Sequence, residues 1–334
     1  MNKILVIRFS SFGDIVQAMS VAKLIKEEYP QSQLDWLTKT EFSNLASCCC
    51  YVDNVISFNK KDGIIGLIKL SFGLRKNNYD VVYDAHSNLR SLIIKLILKT
   101  LNFNVKIITR AKERWNRVLL FNFRKNNFPS PYRGMKSYCA PLNLSNYKNI
   151  NLKQDWNFKK ETIEKVKSKC KFLDQTFILM APSAAWKMKR WPKEHWKKLK
   201  NELKDYSIVF IGGPTDEFIS TIVETSDFNC LNLSGKLNLI ESSYLVSQAK
   251  VVISADTGII HVADLLGVAG ISLIGPTAFG FSTNDNIKTL EVDLACRPCS
   301  KDGRGKCDQE IYQECMVKIT VEKVKEAVLS LISN

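Results

Sequence analysis

The chain has no uninterrupted apolar run of about 18 residues, the length that a membrane-spanning helix needs. Its mean hydropathy is near zero, at −0.11. The opening apolar run, Ile4 to Ile7, ends at Arg8 and is too short for the core of a signal peptide, so the expected location is the cytoplasm. Zinc-finger spacing, an RRM-type aromatic signature and a KH-type loop are all missing, and no nucleic-acid partner is expected. No repeat of solenoid period is visible. Acid is scarce, with 33 Asp and Glu against 48 Lys and Arg, a net charge of +15. What remains is ordinary: 45% hydrophobic and 24% charged residues exclude disordered, collagen-like and coiled-coil chains. A length of 334 residues suggests two domains.

The charge is uneven along the chain. Up to residue 174 there are 30 Lys and Arg against 14 Asp and Glu, and beyond it 18 against 19. Between Lys106 and Lys136, nine cations that include Arg110, Arg114 and Arg117 face the single acid Glu113. An anionic partner on the N-terminal half is the physical reading. Leu89 to Phe103 interleaves Arg90, Lys95 and Lys99 with a strongly apolar body. Such a segment either faces the headgroups of an anionic membrane or is a core helix with a solvated lysine rim, the second being the commoner arrangement.

Both halves alternate short β-branched runs with helical periodicity, the pattern of βα units and a mostly parallel sheet. Strands are expected at 3–9, 34–37, 54–58, 81–83 and 105–109, then at 177–180, 207–211, 229–233, 251–254 and 271–274. Helices are expected at 15–28, 193–205, 240–248, 257–266 and 321–332. A polar, Asn- and Lys-rich stretch at 142–161 interrupts the alternation. The expected fold class is therefore α/β: two doubly wound, Rossmann-like domains facing across a cleft, at 1–160 and 175–315, followed by a C-terminal helical segment at 316–334.

Ligands of such sheets bind beyond the carboxyl ends of the strands, which singles out four strand-to-helix turns. Ser10-Ser11-Phe12-Gly13-Asp14 delivers a carboxylate, either to a ligand or to the N-terminus of its own helix. It is not a P-loop, because no Gly-Lys-Ser/Thr follows. Ala181 to Trp196 places Lys187, Lys189 and Arg190 before Trp191-Pro192, cations at a helix start that suit a diphosphate, with Trp191 as packing. Gly212-Gly213-Pro214-Thr215-Asp216-Glu217 offers a carboxylate for a ribose hydroxyl, or simple turn chemistry. Ser254-Ala255-Asp256-Thr257-Gly258-Ile259-Ile260-His261, with Gly275-Pro276-Thr277 after the next strand, would present backbone N–H groups to a phosphate. Ten cysteines without an export signal read as thiols or metal ligands before disulfides. Cys296, Cys299, Cys307 and Cys315 open with a Cys-x-x-Cys pair that suits a structural zinc.

Taken together, SSFGDIV at 10–16, KRWPKEHW at 189–196, ISADTGIIHVADLLGV at 253–268 with LIGPT at 273–277, and DAHSNLRS at 84–91 resemble glycosyltransferase family 9, the ADP-heptose:lipopolysaccharide heptosyltransferases. The resemblance implies a GT-B fold, with the acceptor on the N-terminal domain and the nucleotide-sugar on the C-terminal one. It implies inverting transfer of heptose from ADP-heptose to the lipopolysaccharide inner core, on a lipid A-Kdo or heptose acceptor, at the cytoplasmic face of the inner membrane, with no metal required for catalysis. Asp14 falls on the catalytic base. Lys189, Asp256, Thr257, Gly258, His261 and Thr277 fall on donor-binding positions, and Asp216 or Glu217 would meet the nucleoside. Ser11, His86 and Arg90, with Arg110, Arg114 and Arg117 of the basic stretch, are expected on the acceptor side. Two departures stand out: Ala278-Phe279-Gly280 follows the Gly-Pro-Thr, and Ser183-Ala184 replaces a Pro-Gly-like turn. The competing readings are a nucleotide-sugar epimerase or a transferase with other substrates, and a lipid- or nucleic-acid-binding module without activity.

Overall fold

The computed structural model describes residues 1–148, 151–223 and 227–333. In chain order its first elements are β1 (Lys3–Ile7), α1 (Phe12–Glu28), β2 (Gln33–Lys39), α2 (Ser43–Ala46), β3 (Asn54–Phe58), α3 (Gly63–Arg75), β4 (Val81–Asp84), α4 (Leu89–Leu101) and β5 (Lys106–Thr109). There follow α5 (Arg114–Phe123), α6 (Gly134–Cys139), α7 (Lys160–Lys169), β6 (Phe177–Ala181), α8 (Lys193–Glu202), β7 (Ser207–Phe210), β8 (Cys230–Asn232) and α9 (Leu239–Gln248). The chain ends with β9 (Val251–Ala255), α10 (Gly258–Leu266), β10 (Gly270–Ile274), β11 (Ile287–Glu291), α11 (Glu314–Val317) and α12 (Val321–Ile332).

Two compact units result, one of residues 1–114 with 135–157, the other of 115–134 with 158 onward. Compared with the expected boundaries, residues 115–134 fall with the second unit. Helix α12 buries Val321, Val324 and Val328 in that unit's core. Asn149 and Ile150 of the polar stretch, and the last residue of the C-terminal segment, lie outside the described residues.

Each unit holds one all-parallel sheet. The first has strand order β3-β2-β1-β4-β5 and the second β11-β10-β9-β6-β7-β8. Both orders reverse direction beside the unit's first strand, between β1 and β4 and between β6 and β9. Such switch points open a crevice at the carboxyl ends of the strands. Helices cover both faces of a parallel sheet, so its central strands read as continuous apolar runs. Accordingly β6, β9 and β10 are buried at every residue, as is β1 after Lys3. The edge strand β11 mixes charged, polar and apolar residues and buries only Ile287 fully, which is why it has no apolar run to announce it.

Helices α3 and α4 lie on one face of the first sheet. Leu67 and Leu74 of α3 and Ile94 and Leu98 of α4 join Leu5, Ile7, Phe9 and Val82 in one core. An ion pair fixes α4 against the sheet: Lys95 Nζ lies 2.7 Å from Asp84 Oδ2, and Asp84, at the end of β4, is fully buried. The other oxygen, Oδ1, accepts the N–H groups of His86 and Ser87 at 3.0 and 2.8 Å. Lys95 is thus neither rim nor headgroup contact. Replacing one partner of a buried pair strands the other charge. Lys95→Met is expected to lower the unfolding free energy by about 3 kcal/mol, with Asp84→Asn in the same chain recovering a large part. Urea unfolding followed by circular dichroism measures this, and a loss below about 1 kcal/mol would show that the pair does not hold the unit.

Candidate active site

In the first unit, β1 leads through Phe9, Ser10 and Ser11 into α1, and Asp14 sits in the first turn of that helix. Three residues fix its carboxylate. Arg8 Nη2 approaches Oδ2 to 2.7 Å, Ser11 donates to Oδ2 from its hydroxyl at 2.8 Å and its backbone N–H at 3.3 Å, and Tyr138 donates to Oδ1 at 2.9 Å. Arg8 is buried and also donates to the Ala85 carbonyl, just beyond β4. Tyr138 in turn has its carbonyl bonded by the Tyr83 hydroxyl. The guanidinium of Arg110 stacks 4.1 Å from the Tyr138 ring centroid and bonds the Ser137 hydroxyl at 2.8 Å. Asp14 keeps 45% of its side chain open. Desolvation raises its pKa, but the Arg8 charge and the bonds from Ser11 and Tyr138 outweigh this and hold it at about 2. His86, which follows β4, packs edge-on to Phe9. Burial and the charges of Arg8 and Lys112 bring its pKa down to about 4, so its imidazole is neutral at pH 7. Asp14, Ser11, Arg8 and His86 therefore gather at the first sheet's switch point. Arg90 follows in the first turn of α4.

In the second unit the switch point is built around Asp256, which follows β9. Its Oδ2 lies 2.9 Å from Lys189 Nζ, on the segment after β6, and accepts the Thr277 hydroxyl, after β10, at 2.9 Å. His261 Nε2 of α10 stands 3.4 Å from Oδ1. Burial raises the pKa of Asp256, but Lys189 and His261 together drive it far below the usual carboxylate range. The Thr257 hydroxyl pairs with Ser254 at 2.9 Å instead of capping α10, so the first-turn N–H groups of α10 receive no side-chain cap. Gly280 completes the cluster. A Cβ there would lie 2.1 Å from Asp256 Cγ, so the departure from the family pattern at 278–280 makes room for this carboxylate.

Asp216 and Glu217 separate in role. Asp216 is buried and accepts from the Ser183 hydroxyl, from Gly213 N–H at 2.7 Å and from Arg190 at 3.2 Å. It organises the turn after β7, and Ser183, the second departure, is one of its partners. Glu217 is exposed. Trp191 is buried, with its indole N–H on the Ile319 carbonyl.

The basic stretch divides between the units. Arg110 belongs to the first, and the exposed Arg114 is its last residue before the chain passes to the second. Arg117 lies 5.1 Å from the centroid of Phe279, Arg124 donates to the carbonyls of Cys296 and Pro298, and Arg133 to those of Ser282 and Thr283, all within the second unit. By unit, 20 Lys and Arg stand against 11 Asp and Glu in the first, net +9, and 28 against 22 in the second, net +6. The excess is therefore shared, which corrects its assignment to one domain.

The zinc expectation is not carried forward. Among the described residues no three His, Cys, Asp or Glu are gathered as a metal ion requires. Cys296, Cys299, Cys307 and Cys315 are free thiols. Cys315 packs in the second unit's core.

A family model described as glycosyltransferase family 9 (heptosyltransferase) matches residues 67–307. Lipopolysaccharide core heptosyltransferase OpsX of Haemophilus influenzae is 26% identical over 286 residues, 80% of this chain and 77% of that protein. The solved structure of E. coli ADP-heptose lps heptosyltransferase II is similar with a TM-score of 0.75 at 21% identity, covering 99% of this chain and 98% of that one. E. coli heptosyltransferase WaaC with ADP-2-deoxy-2-fluoro heptose gives 0.70 at 19%, covering 98% and 99%. The fold is GT-B, as expected from the sequence.

Gly280→Ala should lower the unfolding free energy by about 1–3 kcal/mol through overpacking against Asp256. Gly73→Ala, in α3 with open space around it, should instead stabilise by about 0.5–1 kcal/mol. Thermal unfolding of both variants separates the effects, and equal midpoints for Gly280→Ala and the parent would remove the steric argument.

Proposed function

The chain belongs to glycosyltransferase family 9, and from that premise we propose that it transfers heptose from ADP-heptose to the inner core of lipopolysaccharide, with inversion, on a lipid A-Kdo or heptose acceptor. The first unit takes the acceptor and the second the nucleotide-sugar. The observation that carries this reading is the half-exposed Asp14 carboxylate, oriented by three neighbours at the switch point of the first sheet.

In the proposed reaction an acceptor hydroxyl attacks the anomeric carbon and gives its proton to Asp14, while the bond to the diphosphate breaks. Lys189 and the first-turn N–H groups of α10 stabilise the charge that develops on the departing diphosphate. Asp256 acts through its neighbours, since its buried carboxylate holds Lys189, Thr277 and His261 in place. Thr257 and Gly258 shape the turn, and exposed Glu217 is left to meet the nucleoside in preference to the occupied Asp216. Ser11 positions Asp14. His86 and Arg90 flank the acceptor, and Arg110 supports Tyr138. A lipid-linked, anionic acceptor suits the net positive charge of the first unit, and on this reading the enzyme works at the cytoplasmic face of the inner membrane. Family membership disfavours both competing readings, the epimerase and the inactive binding module.

Two measurements test the assignment. Asp14→Asn should cut acceptor-dependent ADP release by about 10²–10⁴-fold and leave calorimetric ADP binding unchanged. Turnover retained in that variant, or donor consumed without acceptor, would overturn the mechanism or the reaction class. The pH profile probes Arg8. Because the Asp14 pKa is lowered to about 2, its carboxylate stays charged throughout the working range and contributes no acid limb to kcat/KM near neutrality. In Arg8→Gln the lowering charge is gone and the raising effect of desolvation remains. The acid limb should then move upward by at least about 1 pH unit, and superimposable profiles would show that Arg8 does not set this group's affinity for protons.

A further inference from the structure

We propose that the outward faces of α3 and α4 form the surface by which the protein docks on an anionic lipid bilayer. The two helices turn Leu67, Leu74, Ile94 and Leu98 into one core, so their opposite stripes lie on the same side of the sheet. A surface helix normally carries polar residues on that stripe. Here it carries Ile64, Ile65, Ile68 and Phe72 on α3, at 62, 71, 36 and 51% exposure. Leu89, Leu92 and Leu96 follow on α4 at 69, 45 and 56%, with Phe103 just beyond it at 81%. Eight of the 17 large apolar side chains exposed among the described residues thus fall between residues 64 and 103, a concentration that marks a binding surface.

Charge selects the occupant. Residues 60–103 hold eight Lys and Arg against three Asp and Glu. Of the three acids, Asp84 is buried against Lys95, and Asp80 is engaged by the backbone N–H groups of Asn2 and Lys3. Lys60, Lys61, Lys69, Arg75 and Lys76 are exposed, as is Lys99, whose ammonium bonds the carbonyls of Phe103 and Val105, and the exposed acids are Asp62 and Asp80. Apolar side chains fringed by cations match acyl chains beneath anionic headgroups. A second copy of the same face would oppose cation to cation. The surface also reaches the site: Leu89 stands three residues after His86, at the end of α4 nearest the switch point. A lipid-linked acceptor lying in the bilayer would then emerge beside Asp14, and this biological sense rests on the proposed function.

Cosedimentation of the full chain with vesicles tests the docking without any sugar. Binding is expected to vesicles of phosphatidylcholine with phosphatidylglycerol, to weaken with salt, and to be much lower on phosphatidylcholine alone. Ile65→Glu with Phe72→Glu, and separately Leu92→Glu with Leu96→Glu, should each weaken partitioning at least about tenfold. Their circular dichroism, and their kcat/KM on a deacylated, water-soluble acceptor, should match the parent. Parent-like vesicle binding by both variants, or equal binding to neutral and anionic vesicles, overturns the proposal. So does a parent dimer that these substitutions dissociate in light scattering, since a second copy would then be the occupant. A parent that binds anionic vesicles but transfers no heptose leaves the docking intact and removes the proposed function instead.

Discussion

The second unit depends on one buried carboxylate. A charge with so little access to water persists only where partners replace its hydration. Asp256 obtains them from three separate segments: Lys189 after β6, His261 in α10 and Thr277 after β10. His261 is local to Asp256, whereas Lys189 and Thr277 reach it because the strand order places β6, β9 and β10 side by side. The pair Lys189–Asp256 spans the reversal itself, since β6 and β9 are the strands between which the order turns. Gly280 then has no freedom to be anything larger. The first unit repeats the device with Arg8 and Asp14 beside the reversal between β1 and β4, but with a different exposure. Asp14 has 45% of its side chain open, whereas Asp256 has 12%. One carboxylate is half open, and the other is closed in by the partners that it holds.

Much of this was legible in the sequence, for physical reasons that also explain what was not. Central parallel strands such as β6 and β9 are buried on both faces and stand out as apolar runs, and their turns carry the small and charged residues of the site. Edge strand β11 has one wet face, and its Ile-Lys-Thr-Leu-Glu pattern gives no such run. Arg8 could have been found, because a cation directly after a buried apolar strand needs a partner, and Asp14 lies six residues away. Tyr138 could not, since its contact with Asp14 joins residues 124 positions apart and leaves no local periodicity. The passage of residues 115–134 into the second unit is equally silent. It is held by Phe121, Phe128 and Tyr132 around Phe279, a cluster that only the folded chain assembles.

The same passage changes the meaning of the basic stretch. A run of cations in sequence suggests one charged surface, but a guanidinium also serves as a planar donor and a stacking partner. Arg110 lies over Tyr138, Arg117 over Phe279, and Arg124 and Arg133 bond backbone carbonyls. Four of the nine cations between Lys106 and Lys136 thus hold protein to protein. The cations around α3 are less dense in sequence, yet Lys60, Lys61, Lys69, Arg75 and Lys76 are exposed beside apolar side chains, and in that respect they are the more informative charges.

As the proposed base, Asp14 poses the sharper chemical problem. A carboxylate held at about pKa 2 is a weak base toward a sugar hydroxyl, and the three neighbours that weaken it are those that orient it. The conflict resolves if the proton moves late, once the attacking oxygen has begun to bond to carbon and has become strongly acidic. Orientation then matters more than basicity. Oδ2 is occupied by Arg8 and twice by Ser11, whereas Oδ1 is paired with Tyr138 alone among these contacts. Each carboxylate oxygen offers about two lone-pair directions. The remaining one is therefore on Oδ1, beside the Tyr138 hydroxyl, and in the proposed reaction the acceptor proton goes to that oxygen.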